Sequence, residues 1–134
     1  MKTIKFFASL GVVAGYGHNN ETPEPAEVVA GKVWQEIAAA VQQATQSPTN
    51  KYGTYIGAVI SSSKTVYHTD WGCPVGGEDT VFLTGECNPE FTELAAYKTA
   101  ATEVLRQVGV ALKQKTTQIC FVETEFEYLK LTEE

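Results

Sequence analysis

Across MKTIKFFASLGVVAG (residues 1–15), apolar and polar positions alternate. Ile4, Phe6, Ala8, Leu10 and Val12 fall on one side, with Thr3, Lys5 and Ser9 among those opposite. A period of two is what a strand with one buried face requires, so the segment predicts a first β-strand. A lysine followed by a mostly apolar run also imitates a leader peptide, but a leader needs no alternation. The next stretch, GYGHNNETPEPAE (15–27), reads as a loop because Gly, Asn and Pro punctuate it. The period then becomes helical. Val29, Val33, Trp34, Ile37, Val41 and Ala44 form one stripe, with Lys32, Gln35, Glu36, Gln42 and Gln43 on the other side. Thr22 or Glu24, each ahead of a proline, marks the start of this helix, and SPTN (47–50) ends it.

YGTYIGAVISSS (52–63) is small and β-branched enough for a second strand. A polar turn at Ser61–Lys64 would lead to a hairpin partner, KTVYHTDW (64–71), and after GCPVGG (72–77) to a further strand, DTVFLTGEC (79–87). Asn88, Pro89 and Glu90 suit a helix N-cap and first turn. That helix is predicted to run to about residue 113 and to bury Leu94, Ala101, Val104, Leu105, Val108 and Leu112. Gly109 inside it costs about 1 kcal/mol against Ala, which suggests close packing or a ligand approach. TTQICFVETEFEYL (116–129) closes the chain as a last strand, ahead of a charged tail.

The predicted order is β-α-β-β-β-α-β in a single domain over residues 1–134. It implies an α+β fold with about five strands, mostly antiparallel, and two long helices on one face. The opposite face would carry Phe7, Tyr55, Tyr67, Phe82, Phe126 and Tyr128, more aromatic surface than water tolerates. A second copy of the chain is the commonest cover, so a homo-oligomer is expected.

Charge narrows the partners. The net charge is −6, and Arg106 is the only arginine among ten cations. Binding to a nucleic-acid polymer or an anionic membrane is therefore disfavoured. No run approaches the ~20 apolar residues of a membrane span. Cys73, Cys87 and Cys120 are odd in number and lack a CxxC, which suggests reduced thiols and a cytoplasmic protein.

The densest chemistry lies in YHTDWGCPVGGED (67–79). His68 and Asp70 would share a strand face, and with Cys73 and Glu78 nearby they suggest a base or nucleophile. The alternative is a polar pair beside an idle thiol; without a nucleophile signature, no catalytic residue is assigned. His18, His68, Cys73 and Cys87 lack the short spacings of metal ligands, so neither a metal nor a cofactor is expected. GYGHNN lacks both phosphate-loop fingerprints and survives only as a loop over a small ligand, with Tyr16 and His18 on it. Tyr16, Trp71 and Phe82 lie near glycine-bearing strand ends, where a flat ring could stack. Arg106 shares a helix face with Thr99, Thr102 and Lys113, off the apolar stripe. It suits either a bidentate grip on a phosphate or carboxylate, or an ion pair with Glu103.

In size and element order the chain resembles the phage-encoded Thoeris anti-defence sponges, small oligomers that sequester cyclic ADP-ribose-type signals and, in some members, cyclic oligonucleotides. The resemblance rests on a strand carrying Phe82, then Asn88 at a helix start, then Arg106 along that helix. It implies that these residues stack on a base and hold ribose and phosphate. It implies non-catalytic capture of a small anionic nucleotide-like ligand at a subunit boundary. The candidate ligand set is Tyr16, His18, Trp71, Phe82, Asn88, Thr99, Arg106 and Lys113. A pyrophosphate site would normally hold more arginine, and here only Lys98, Lys113 and Lys115 supplement Arg106. The alternatives are a small oligomeric α+β enzyme acting on a small anionic substrate, and a structural or protein-binding inhibitor. Within the enzyme class, a tautomerase would need an N-terminal proline, and an enamine deaminase a strand-borne arginine.

Overall fold

The structure, a computed structural model, describes residues 1–13 and 24–132. Four strands, β1 (Lys2–Gly11), β2 (Val59–Thr65), β3 (Glu78–Glu86) and β4 (Ile119–Glu125), form one sheet in the order β2-β3-β1-β4. Every neighbouring pair is antiparallel. Helices α1 (Ala26–Ala44) and α2 (Leu94–Ala111) complete the order β-α-β-β-α-β.

The α+β class, the antiparallel sheet and the two helices agree with the sequence; the strand count does not. There are four strands rather than about five. Ser61–Lys64, expected as a turn, continues β2 in register opposite Phe82, Val81, Thr80 and Asp79. Residues 61–64 include no Gly, Pro, Asn or Asp to enforce a turn. The turn comes later, where Gly72, Gly76 and Gly77 adopt φ of 99°, 91° and 104°. Residues 64–71 are accordingly not a strand beyond Thr65, and Thr69–Trp71 forms a single 3-10 turn. The second helix begins at Leu94, not at Asn88. Asn88 instead closes a separate turn, its carbonyl accepting from the Phe91 and Thr92 amides and its Oδ1 from the Glu90 amide.

The alternation in β1 does what it predicts. Phe6, Ala8 and Leu10 are buried. Across the ladders Phe6 faces Gly85 and Phe121, and Ala8 faces Leu83 and Ile119. The Phe6 ring stacks on Trp34 of α1 at 5.9 Å and meets Tyr97 of α2 at 6.4 Å, which places both helices on one sheet face. Trp34 Nε1 donates to the Ile56 carbonyl at 2.9 Å and so ties the extended chain before β2 to α1. Gly85 is required by space: a Cβ there would lie 2.6 Å from both the Gly57 carbonyl oxygen and the Phe6 ring. A Cβ at Gly109 would make only ordinary contact with Leu10, at 3.8 Å, so packing does not demand that glycine. Among the described residues no helix is long and apolar enough to cross a membrane.

Candidate active site on the helix-free sheet face

Side chains that alternate away from the helices share the opposite sheet face. Phe7 and Ser9 of β1, Thr65 of β2, Glu78, Thr80 and Phe82 of β3, and Cys120 of β4 line a cleft there of about 600 Å³. That volume suits a small organic ligand. Gln114 and Thr116–Gln118 form its wall near the end of α2.

The two ends differ in chemistry. At one end Phe7 and Phe82 meet with ring centroids 5.9 Å apart. At the other, Tyr67 Oη donates to Glu78 Oε2 at 3.3 Å, and Lys64 is paired with Asp79. Glu78 and Phe82 are four residues apart on one strand, so about 13 Å separates acid from ring along the sheet. Between them Thr80 contacts the hydroxyls of Ser63 and Thr65. The arrangement offers a carboxylate, a row of hydroxyls and an aromatic shelf in line.

The other chemistry-bearing groups of residues 67–79 serve the turn. His68 Nδ1 accepts from the Asp70 amide at 3.0 Å, and both side chains are exposed. Cys73 is buried; its Sγ accepts from the Tyr67 amide at 3.5 Å and lies 3.3 Å from the Pro74 carbonyl oxygen. It anchors the loop and does not line the cleft. Trp71 is 76 % exposed, its ring against His68 rather than in the cleft.

Of the expected ligand residues, Phe82 lines the cleft. Tyr16 and His18 lie outside the described residues, as does the rest of the 15–20 loop. Asn88 sits in its own turn, and Thr99 lines a groove between the two helices. Lys113, with φ of 60°, ends α2 on the surface. Arg106 grips Glu103 bidentately, Nε to Oε1 at 3.0 Å and Nη2 to Oε2 at 2.7 Å, beside a separate groove between α2 and β4. Hydrogen bonds from Arg106, then Gln107, hold the Glu103 carboxyl below its usual range, and Glu103 pushes the guanidinium up in turn. Among the described residues, Trp71, Phe82, Asn88, Thr99, Arg106 and Lys113 do not converge within one chain. Among the described residues no group of three or more His, Cys, Asp or Glu is placed to hold a metal.

A family model spans residues 1–130, and its description is SAM lyase. The chain belongs to the SAM lyase family. No curated protein and no solved structure matches it. A lyase transforms its ligand, so the expected non-catalytic sponge is overturned, and the alternative of a small α+β enzyme is the one the SAM lyase family supports. The likeness to the Thoeris sponges holds only as far as the SAM lyase family being related to anti-defence. Phe7, Tyr67, Thr65, Thr80 and Glu78 were not in the expected ligand set, and the available signal was the period-two run from Glu78 to Thr84, whose even positions all face away from the core.

Proposed function

We propose that this protein cleaves S-adenosylmethionine at its sulfonium centre, in the cleft on the helix-free sheet face. The observation that carries the reading is the Glu78 carboxylate, fixed by the Tyr67 hydroxyl, at the far end of a cleft from the Phe7–Phe82 ring pair. S-adenosylmethionine is a flat base at one end and an amino-acid group at the other, joined through a cationic sulfur. The rings suit the base and the sulfonium. Glu78 suits the ammonium, and a net charge of −6 favours a cationic ligand in general.

The family name constrains the reaction, because a lyase breaks a bond without adding water. The carbon next to sulfur in the four-carbon chain lies within five-ring reach of the substrate's own carboxylate. One carboxylate oxygen attacks that carbon, and the carbon–sulfur bond breaks with its electron pair going to sulfur. The products are a lactone whose ammonium group carries the remaining positive charge and the neutral thioether methylthioadenosine; no proton need move. In this account the chain holds the substrate folded for attack, and orientation supplies most of the acceleration. Closure of the cleft by another copy in a homo-oligomer is part of the proposal, supported by Val59 and Val122, exposed on the same sheet face. A cytoplasmic location is proposed with it, in keeping with the free thiols of Cys73, Cys87 and Cys120.

Chromatography of the adenosine products tests the reading. Wild type should release methylthioadenosine, and Glu78→Gln should lose at least about tenfold in kcat/KM, since a charge-assisted bond to the ammonium is gone. A Glu78→Gln variant with wild-type kinetics would remove Glu78 from the site.

A further inference from the structure

Three hydroxyls touch on the outer face of the β2–β3 ladder. Thr80, 4 % exposed, lies 2.9 Å from Ser63 Oγ and 3.0 Å from Thr65 Oγ1. Each hydroxyl has a single proton to donate. Two contacts use two of the three protons, and one is left for a partner outside the row. Thr65 and Thr80 line the cleft, whereas Ser63 does not. Thr80 is buried and Thr65 exposed, so Thr65 is the member open to a ligand, and the order that leaves its proton free is Ser63 to Thr80 to Thr65. In the ladder Thr65 stands directly opposite Glu78. A donor and an acidic acceptor thus lie side by side at one end of the cleft. The α-carbon of an amino acid presents the complement, a carboxylate beside an ammonium.

We propose that the Ser63–Thr80–Thr65 row is the carboxylate subsite of this cleft, with Thr65 donating to one carboxylate oxygen while Glu78 accepts from the ammonium. The inference rests on the S-adenosylmethionine reading above and assigns the site its selectivity for the amino-acid end. A single donor restrains one oxygen and leaves the other to attack the carbon beside sulfur. Thr80 is a positioning residue: it acts through Thr65, by accepting from Ser63 and fixing the direction in which the Thr65 proton points. Valine at position 80 keeps the β-branched shape but breaks the row, while serine keeps the hydroxyl.

The test compares S-adenosylmethionine with its decarboxylated analogue on the full chain. The analogue keeps the base, the sulfonium and the ammonium, and it cannot cyclise, so its inhibition constant reports binding without the carboxylate. Thr80→Val should lower kcat/KM for S-adenosylmethionine by about tenfold or more. It should leave the analogue's inhibition constant unchanged, and Thr80→Ser should recover most of the loss. The subsite is overturned if Thr80→Val alters neither value, or weakens both alike. A wild type that neither consumes S-adenosylmethionine nor is inhibited by the analogue overturns the functional reading and the subsite with it. An active wild type that Glu78→Gln disables but Thr80→Val does not overturns the subsite alone.

Discussion

Replacing Tyr97 with phenylalanine should make the protein more stable, although the residue is only 4 % exposed. Its ring packs against Phe6, and that contact survives the change. Its Oη is buried and has no hydrogen-bond partner among the described residues. A buried hydroxyl left unsatisfied costs about 1–3 kcal/mol. The space vacated by one oxygen is smaller than a methyl group, for which the penalty is about 1 kcal/mol. The net gain is therefore about 1 kcal/mol, equivalent to roughly 3–5 °C in Tm for a chain of this length. A second signature lies in alkali. Burial first, then the nearby Cys87 and Glu86 charges, push the Tyr97 phenol above its ordinary 10.0. Burial likewise raises the Cys87 thiol, against an opposing hydrogen bond with Thr3. Because both folded-state values are raised, their contribution to stability is whole below the unfolded values. It is lost as pH climbs from those values towards the folded ones. Wild type should accordingly weaken from about pH 9 upward, and Tyr97→Phe should retain only the shallower Cys87 part of that slope. Urea unfolding at neutral pH and near pH 10.5, followed by tryptophan fluorescence with Trp34 as the buried reporter, measures both effects. A variant less stable than wild type at neutral pH would mean that a water satisfies the hydroxyl, and would refute the reasoning.

Two other substitutions probe packing and the Arg106–Glu103 pair. Gly85→Ala forces a Cβ into the Gly57 carbonyl and the Phe6 ring, and should lower stability by about 1–3 kcal/mol in the same urea assay. Arg106→Ala should leave both turnover and the urea midpoint unchanged, because an exposed i,i+3 ion pair contributes little. Glu103, relieved of its principal hydrogen-bond donor, should titrate at higher pH in that variant when followed by NMR.

The scaffold was largely legible in the sequence, because burial writes its period directly into the chain. Phe6, Ala8 and Leu10 alternate in β1, and Tyr97, Ala101, Val104 and Val108 recur at helical spacing in α2. β1 forms where the pattern places it, and α2 does so from Leu94 onward. The boundaries that failed are local contests. The run of serines at 61–63 carries polarity without a Gly, Pro, Asn or Asp to enforce a turn, and stays in the ladder with β3. Asn88 caps a turn that ends at the extended Glu93, so the helix waits until Leu94. The site was less legible, because it is made by register. Thr65 meets Glu78, and Ser63 meets Thr80, only once β2 and β3 pair. Glu78 attracted notice through His68 and Cys73, neither of which lines the cleft. Arg106 stood out by rarity, and of its two readings the ion pair with Glu103 is the one formed.

The central claim is that the cleft transforms its ligand instead of storing it. Purified protein incubated with a large molar excess of S-adenosylmethionine, then quantified by mass spectrometry, tests this directly. The account predicts methylthioadenosine accumulating far beyond the amount of protein present, together with the lactone. Recovery of intact S-adenosylmethionine alone, whether free in solution or released on denaturation, would contradict it.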